Sequence, residues 1–409
     1  DKIKVKINLM NLNFFITTSD PYIEYRGNKI DIKKIDGYIK LNSFLSGNPQ
    51  IDKINLVTNE INIEEIKEVV KYLKPSNFKK FLLNEVKKGK ITSNVDLFLN
   101  NNEIKNYEVN GYTKNLSIDK EKINLKEVSF IYFIKKNSAE IDNLRGFLNG
   151  LQINSGSIKF DNSKSLNVQG NLNSYLDLNK LNFTDIFKNQ IFERFEDFQL
   201  IGNVEKIFQI KFDQTLKIID YKFEALGNIK KSKIKFKEPI NFLFVKNTIK
   251  NIDLEKSDFK INYGNKDEKI LKINGSYKIN NNSFQKFNLT HFNNLSSQKI
   301  SIDGNFDEEI IIPILNYSSK KKIINLNTEL ETKKNKIHFK KFTFLQGKNN
   351  ISIKNLYLDN EKLTKFDSVT VKTFKKNELN NDFQISYGKK IKIKGLSYDA
   401  TNLTNLFDK

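Results

Sequence analysis

The chain has 409 residues, more than a single ordinary core needs, and its formal charge is +21. Only three of its basic residues are arginine (Arg26, Arg145, Arg194), so the positive charge is lysine, which argues against specific base readout or bidentate phosphate grips on nucleic acid. The absence of cysteine excludes disulfides and thiolate metal sites, the two histidines (His291 and His338) argue against a multi-His metal centre, and no apolar run reaches the ~18 residues of a membrane span.

Residues 1–62 read as strands over 3–9, 13–17, 22–25, 29–41 and 51–57, with turns at Asp20-Pro21 and Ser46-Gly47. A helical stretch follows. Ile63, Ile66, Val69, Val70 and Leu73 recur at helical spacing behind Asn62 as N-cap, with Glu64 and Glu65 in the first turn. A second helix carries Phe78, Phe81, Leu82 and Val86 and is expected to stop at Gly89. The pair is expected to lie over an open end of a sheet.

Strands resume over 91–99, 107–118, 123–134, 151–160 and 166–172. Residues 179–197 are expected to form a helical insertion with Leu181, Ile186, Phe187 and Phe195 on its apolar side. From 198 to 306 strands come at roughly ten-residue spacing, as in a β meander, among them 206–212, 218–226, 232–236, 242–245, 259–263, 270–279 and 299–302. A short helix is expected over 307–317, kinked or started at Pro313. Strands run from 323 to 398, and Asp399 or Thr401 caps a terminal helix through Leu403, Leu406 and Phe407. Three regions result: 1–89, strands plus the helical pair; 90–306, a meander; and 307–409, a short helix, further strands and a last helix. They are expected to be one elongated unit. Asp1 opens directly onto strand alternation and the last helix reaches the final residue, so the sequence is expected to be an internal segment of a longer chain.

One octet recurs. Residues 123–130 (INLKEVSF) follow the pattern apolar-x-apolar-Lys-x-apolar-x-apolar. So do 337–344 (IHFKKFTF), 351–358 (ISIKNLYL) and 391–398 (IKIKGLSY), and a truncated copy begins at Ile30. Each half alternates with period two, but the Lys-x step adds one residue. In a regular strand the two halves would face opposite ways. A β-bulge at the step keeps both on one face and bends the strand.

No nucleophile elbow, phosphate-binding loop, HExxH or CxxC motif is present. The carboxylate clusters Asp307, Glu308, Glu309 and Glu193, Glu196, Asp197 fall on expected helix starts or polar faces, and His338 occupies an x position of an octet. No enzyme activity, cofactor or metal is expected. Strands apolar on one face and Lys/Asn-rich on the other leave two arrangements open. Two such faces can close a sandwich core, or one long sheet can curl into a trough with an apolar lining that holds acyl chains. Lining candidates are Val128, Phe130, Tyr132 and Ile134; Leu271, Ile273 and Tyr277; Ile337, Phe339, Phe342 and Phe344; and Ile351, Ile353, Leu356 and Leu358. The lysines then serve as a solvated face and as an attraction to anionic lipid head groups.

The recurrent octet with its Gly and Asn turns (INLKEVSF…LRGFLNGLQINSGSIKFD), the strand pair KKIINLNTELETKKNKIHFKKFTFLQGKNNISIKNLYLD and the ending KIKIKGLSYDATNLTNLF together resemble the AsmA-like envelope proteins, the YhdP and TamB group. The resemblance covers most of 90–409. It implies a long antiparallel, twisted β-sheet curled into an elongated groove of the bridge-like lipid-transfer type, with a few short helices. It also implies a Gram-negative periplasmic protein, held to the inner membrane by an N-terminal helix outside this segment. Such a protein shields phospholipid acyl chains on their way between inner and outer membranes and serves outer-membrane biogenesis, without catalysis. The inner and outer membranes would be partners through regions outside this segment, and no specific nucleic acid would be. The alternative from the residues is a β-rich envelope or surface protein for adhesion, glycan or partner binding.

Overall fold

A computed structural model describes residues 2–402 apart from 9–12, 41–42, 44, 48, 102, 121–122, 164, 180–192, 214, 216, 243, 266–268, 321, 361 and 389. The expected helical insertion over 179–197 falls for the most part outside the described residues, as does the terminal helix through Leu403, Leu406 and Phe407. Among the described residues the chain is mainly β: 25 strands belong to one large antiparallel sheet that is not closed, and two more form a separate small sheet. It divides into two compact units, residues 1–175 with 205–221, and residues 176–204 with 222–409.

The first unit opens with β1 (Lys2–Asn8), β2 (Asn13–Ser19), β3 (Tyr22–Tyr25), β4 (Asn28–Ile39), β5 (Ile51–Thr58) and β6 (Ile61–Asn62). Helices α1 (Ile63–Val70) and α2 (Asn77–Asn84) follow. Then come β7 (Val86–Asn100), β8 (Glu103–Lys120), β9 (Ile123–Lys135), β10 (Ser138–Leu148), β11 (Leu151–Asp161) and β12 (Asn167–Asn179). The ladder runs β1-β2-β4-β5-β7-β8-β9-β10-β11-β12, every pair antiparallel. Three strands belong to both units along their length: β12, β13 (Phe195–Phe212) and β14 (Ile218–Ile240).

The helical pair forms where the sequence places it, except that Val86, expected on the second helix, begins β7. Glu65 Oε1 accepts from the Asn62 side-chain amide at 2.7 Å and from its backbone N–H at 3.4 Å, and Ser76 Oγ accepts from Lys79 N at 3.1 Å. Ile63, Val70 and Leu82 pack with Val86, Leu116, Val128, Leu144, Ile153 and Leu172 into a single buried cluster. Each such side chain contributes about 1.5–3 kcal/mol on full burial. Gly89 does not end α2, contrary to expectation. The helix finishes at Asn84, and Gly89 lies inside β7, where a Cβ would stand 2.8 Å from Leu116 Cδ1.

The second unit continues with β15 (Ile249–Gly264), β16 (Lys269–Ile279), β17 (Gln285–Asn293), β18 (Gln298–Phe306), β19 (Ile311–Ile312), β20 (Tyr317–Ser318), β21 (Ile324–Lys333), β22 (Lys336–Gln346), β23 (Asn349–Asp359), β24 (Lys362–Lys365), β25 (Ser368–Lys375), β26 (Glu378–Tyr387) and β27 (Ile391–Ser397). Its ladder runs β14-β15-β16-β17-β18-β21-β22-β23-β25-β26-β27, again antiparallel. Among the described residues β27 pairs only with β26 and leaves a free edge.

Four sequence expectations need correction. Residues 307–317 are not a helix. They form a small hairpin, β19 against β20, with a single 3-10 turn at Pro313–Leu315 and Asn316 left-handed at φ 47°. The described residues of 242–245 form no strand, only a bridge between Val245 and Ile310. The segments 218–226 and 232–236 are parts of one strand, β14. Strand β10 was not expected. In β10 the alternation is broken twice, by Asn143 at φ 54° and by a bulge beside Gly146, so no period-two run is visible in the sequence.

The octet carries its bulge. In β9 the register against β8 slips twice between Thr113 and Ile118, and Glu127 is left-handed at φ 54°. In β22 the pairing with β21 skips Lys340, and in β23 Asn355 is left-handed at φ 49°. The truncated copy in β4 skips Lys33. The fourth copy departs from expectation: in β27 the extra residue is Leu396, beyond the Lys-x step. The effect on the faces is plain in β9. Leu125, Val128 and Phe130 reach one cluster, although an unbroken strand would turn Leu125 and Val128 to opposite sides.

Candidate functional site

Strands β22, β23, β25, β26 and β27 of the second unit present one apolar face, built largely by octet copies. Phe339, Phe342 and Phe344 come from the first copy, Ile351, Ile353 and Leu356 from the next, and Ile393, Leu396 and Tyr398 from the last. Val369, Val371, Phe383 and Ile385 fill the positions between. The β19–β20 hairpin lies over this face through Ile310, Ile312, Ile314 and Leu315, joined by Phe244. Between hairpin and sheet is a cavity of about 1070 Å³. That is at the upper end for small-molecule sites.

The inner end of the cavity is packed. Leu315, Tyr317, Ile324, Phe344, Ile351 and Val371 form a buried cluster, with Tyr317 edge-on to Phe344 at 5.7 Å. The β27 margin is open: Ile393 is 68% and Leu396 86% exposed. Large apolar side chains exposed next to a cavity are the usual mark of a surface that meets an apolar ligand or partner.

Polar bonds hold the hairpin at a fixed height above the face. The Leu315 carbonyl accepts from Asn381 Nδ2 at 2.8 Å and Asn380 Nδ2 at 3.1 Å. The Ile314 carbonyl accepts from the Tyr398 hydroxyl at 3.1 Å, and the Pro313 carbonyl from Asn402 Nδ2 at 3.1 Å. On the far side Tyr317 donates to Gln346 Oε1 at 2.6 Å. Burial pushes the Tyr317 phenol well above its ordinary value, so it stays a donor. Ile311 N donates to the Phe244 carbonyl at 2.8 Å, which ties the cover to residue 244. The 3-10 turn exposes carbonyls that a longer helix would satisfy internally, and these side chains satisfy them instead.

The sequence-predicted lining residues divide into four groups. Phe339, Phe342, Phe344, Ile351, Ile353 and Leu356 converge on the cavity. Ile337 and Leu358 face each other across β22 and β23 but do not line it. Leu271, Ile273 and Tyr277 sit on β16, away from the cavity. Tyr277 donates to the Asn305 carbonyl at 2.7 Å and packs edge-on to Phe287 at 5.4 Å. Burial, then the charge of Asp307, raises its phenol pKa. Val128, Phe130, Tyr132 and Ile134 belong to β9 of the first unit. Val128 is 1% exposed in the cluster that includes α1 and α2, and Tyr132 donates to the Thr92 carbonyl at 2.9 Å.

Sequence reasoning missed the cover residues Ile310, Ile312 and Leu315, because the run was read as a helix. It also missed Ile393, Leu396 and Tyr398. These occupy the same octet positions as Phe339, Phe342 and Phe344, so the motif itself carried the signal.

The carboxylate clusters are held by amide donors, by lysines and by β structure: Glu309 pairs with Lys246 at 2.8 Å and Glu196 with Lys235 at 2.7 Å. Glu308, 2% exposed, accepts from Asn247, Asn280 and Asn282 at 3.0, 3.3 and 2.9 Å, and Glu196 and Asp197 lie on β13 rather than on a helix. His338 stacks on Tyr357 with ring centroids 3.9 Å apart. Among the described residues no group of three His, Cys, Asp or Glu could hold a metal ion, and no helix is long and apolar enough to cross a membrane. No family model, curated protein or solved structure matches the chain.

Proposed function

We propose that the chain is a non-enzymatic carrier of phospholipid acyl chains, which it shields from water in the apolar cavity of its second unit. The observation that carries this reading is the cavity of about 1070 Å³, with three octet copies on its floor and a margin open at Ile393 and Leu396. Each methylene moved from water into such a site gains ~0.8 kcal/mol, so about ten methylenes supply ~8 kcal/mol without any polar contact. The finer architecture that goes with this reading is a sheet curled into an elongated, bridge-like groove. The AsmA-like resemblance adds the setting: a periplasmic, inner-membrane-anchored protein that serves phospholipid movement between inner and outer membranes and outer-membrane maintenance. The lysine excess suits an anionic membrane environment.

The test is lipid extraction and mass spectrometry of the purified chain, with a photo-crosslinking amino acid at Phe339 or Ile353 and a control at Val128. Lipid adducts at the first two positions and none at Val128 are expected. Ile393→Asp, which puts a carboxylate on the open margin of the cavity, should cut the retained lipid several-fold while the chain stays folded. Protein that carries no lipid and crosslinks only to protein would overturn the reading. It would favour the second one, a partner-binding β protein that uses the exposed apolar edge strand β27.

A further inference from the structure

The β19–β20 hairpin is a wall with two sides. Ile310, Ile312 and Ile314 face the apolar cavity, whereas Ile311 and Pro313 face a second cavity of about 630 Å³. This is the period-two alternation of an extended chain used to separate two environments. The second cavity has the opposite chemistry. Five lysines line it, Lys320, Lys322, Lys348, Lys375 and Lys376, and no carboxylate does. They converge from three separate loops: the one after β20, the β22–β23 turn and the β25–β26 turn.

The loops are braced rather than loose. Gln346, 7% exposed, donates through Nε2 to the Ser319 carbonyl at 2.9 Å and the Lys322 carbonyl at 3.1 Å, while its Oε1 accepts from Tyr317. Lys320, Gly347 and Lys376 each hold a left-handed backbone, at φ 48°, 55° and 52°. Glu309, which accepts from Ser318 Oγ of the lining at 2.8 Å, is paired with Lys246 at 2.8 Å. Asp399 is engaged by Thr401 and by Asn316 Nδ2 at 2.7 Å. These bonds, and more weakly Lys375, hold it below the usual carboxylate range. Lys320, Lys322, Lys348 and Lys376 have no carboxylate partner among the described residues.

Several ammonium groups held around one concavity repel one another and focus a positive potential into it, and an anion relieves that repulsion. From this we infer that the lysine cavity is a phosphate-recognition site, sized for one phosphorylated head group or small solute. Its volume is too small for a polymer, and it contains no arginine for a bidentate grip. The lipid-borne form of the ligand rests on the acyl-shielding reading; recognition of the phosphate group does not.

The experiment uses the full chain in two arms: calorimetric titration with glycerol 3-phosphate, and flotation with phosphatidylcholine vesicles with and without phosphatidylglycerol. The test variant is Lys322→Glu/Lys348→Glu/Lys376→Glu. The control, with the same change of net charge, is Lys272→Glu/Lys286→Glu/Lys299→Glu, exposed lysines of β16, β17 and β18. Affinity should fall about tenfold or more in the test variant and stay within about twofold in the control. A lipid source shows as test-variant-sensitive binding to the phosphatidylglycerol vesicles. A soluble source shows as glycerol 3-phosphate binding without flotation. Equal loss in both variants, or binding of neither ligand by the unaltered chain, would overturn the inference. Retained lipid, measured separately, should be unchanged in the test variant. Its absence alongside intact phosphate binding would remove the shielding reading and leave this one standing.

Discussion

Asn381 Nδ2 donates to the carbonyl of Leu315 at 2.8 Å, across 66 residues of chain. Asn381 is fully buried, and its other bonds run to Thr373 Oγ1 at 2.8 Å and from Asp399 N at 2.9 Å. A single amide thus fixes the 3-10 turn of the cover, the inner face of β25 and the segment after β27. This sets the spacing between cover and sheet, and so the height of the apolar cavity.

Asn381→Ala leaves a buried carbonyl, a hydroxyl and an N–H with lost or weakened bonds. Each unsatisfied group costs about 1–3 kcal/mol, so a destabilisation of about 3 kcal/mol is expected in urea titration. Hydrogen exchange should accelerate at the amides of Ile311 and Ser319, which hold the hairpin in place. The helical pair of the first unit should keep its protection.

Tyr317 supplies a pH dependence with a definite sign. Burial raises its phenol pKa above the unfolded value of about 10. The folded chain therefore keeps a proton that the unfolded chain releases as pH climbs past that value. The stabilisation is fully present below pH ~10 and is lost as pH rises through the folded pKa. Tyr277 and Tyr132, also raised by burial, contribute in the same direction. Tyr317→Phe should cost about 1 kcal/mol at neutral pH, because one bond to Gln346 is lost. It should also flatten the fall in stability above pH ~10, as measured by denaturation at stepped pH.

Glu127 tests the bulge. It is exposed and left-handed at φ 54°. A β-branched side chain is strained there, and glycine is not. Glu127→Val should be less stable than Glu127→Gly by about 1–2 kcal/mol in equilibrium denaturation. Equal stabilities would mean that β9 runs through as a regular strand, and Leu125 and Val128 would then not share a face.

The local features of this chain were legible because they are written in short periods. Alternation located most of β1 through β27, and the 3.6-residue spacing behind Asn62 gave α1. The surplus residue of the octet predicted a bulge that β4, β9, β22 and β23 contain. Where irregularity stacked up, as at Asn143 and Gly146 in β10, the same signal failed.

The sequence alone determined a β protein of one-faced apolar strands with lysine on the other face, and the bulge that keeps each octet facing one way. Only the tertiary structure decided which of those faces are closed. In the first unit α1 and α2 fill the face around Val128. In the second, the run from Ile310 to Leu315 becomes a hairpin rather than a helix, because its carbonyls are satisfied by Asn381, Tyr398 and Asn402 far along the chain. Partners at that separation leave no periodic trace in the segment itself, so neither the apolar cavity on one side of the hairpin nor the lysine cavity on the other could be read before the chain was folded.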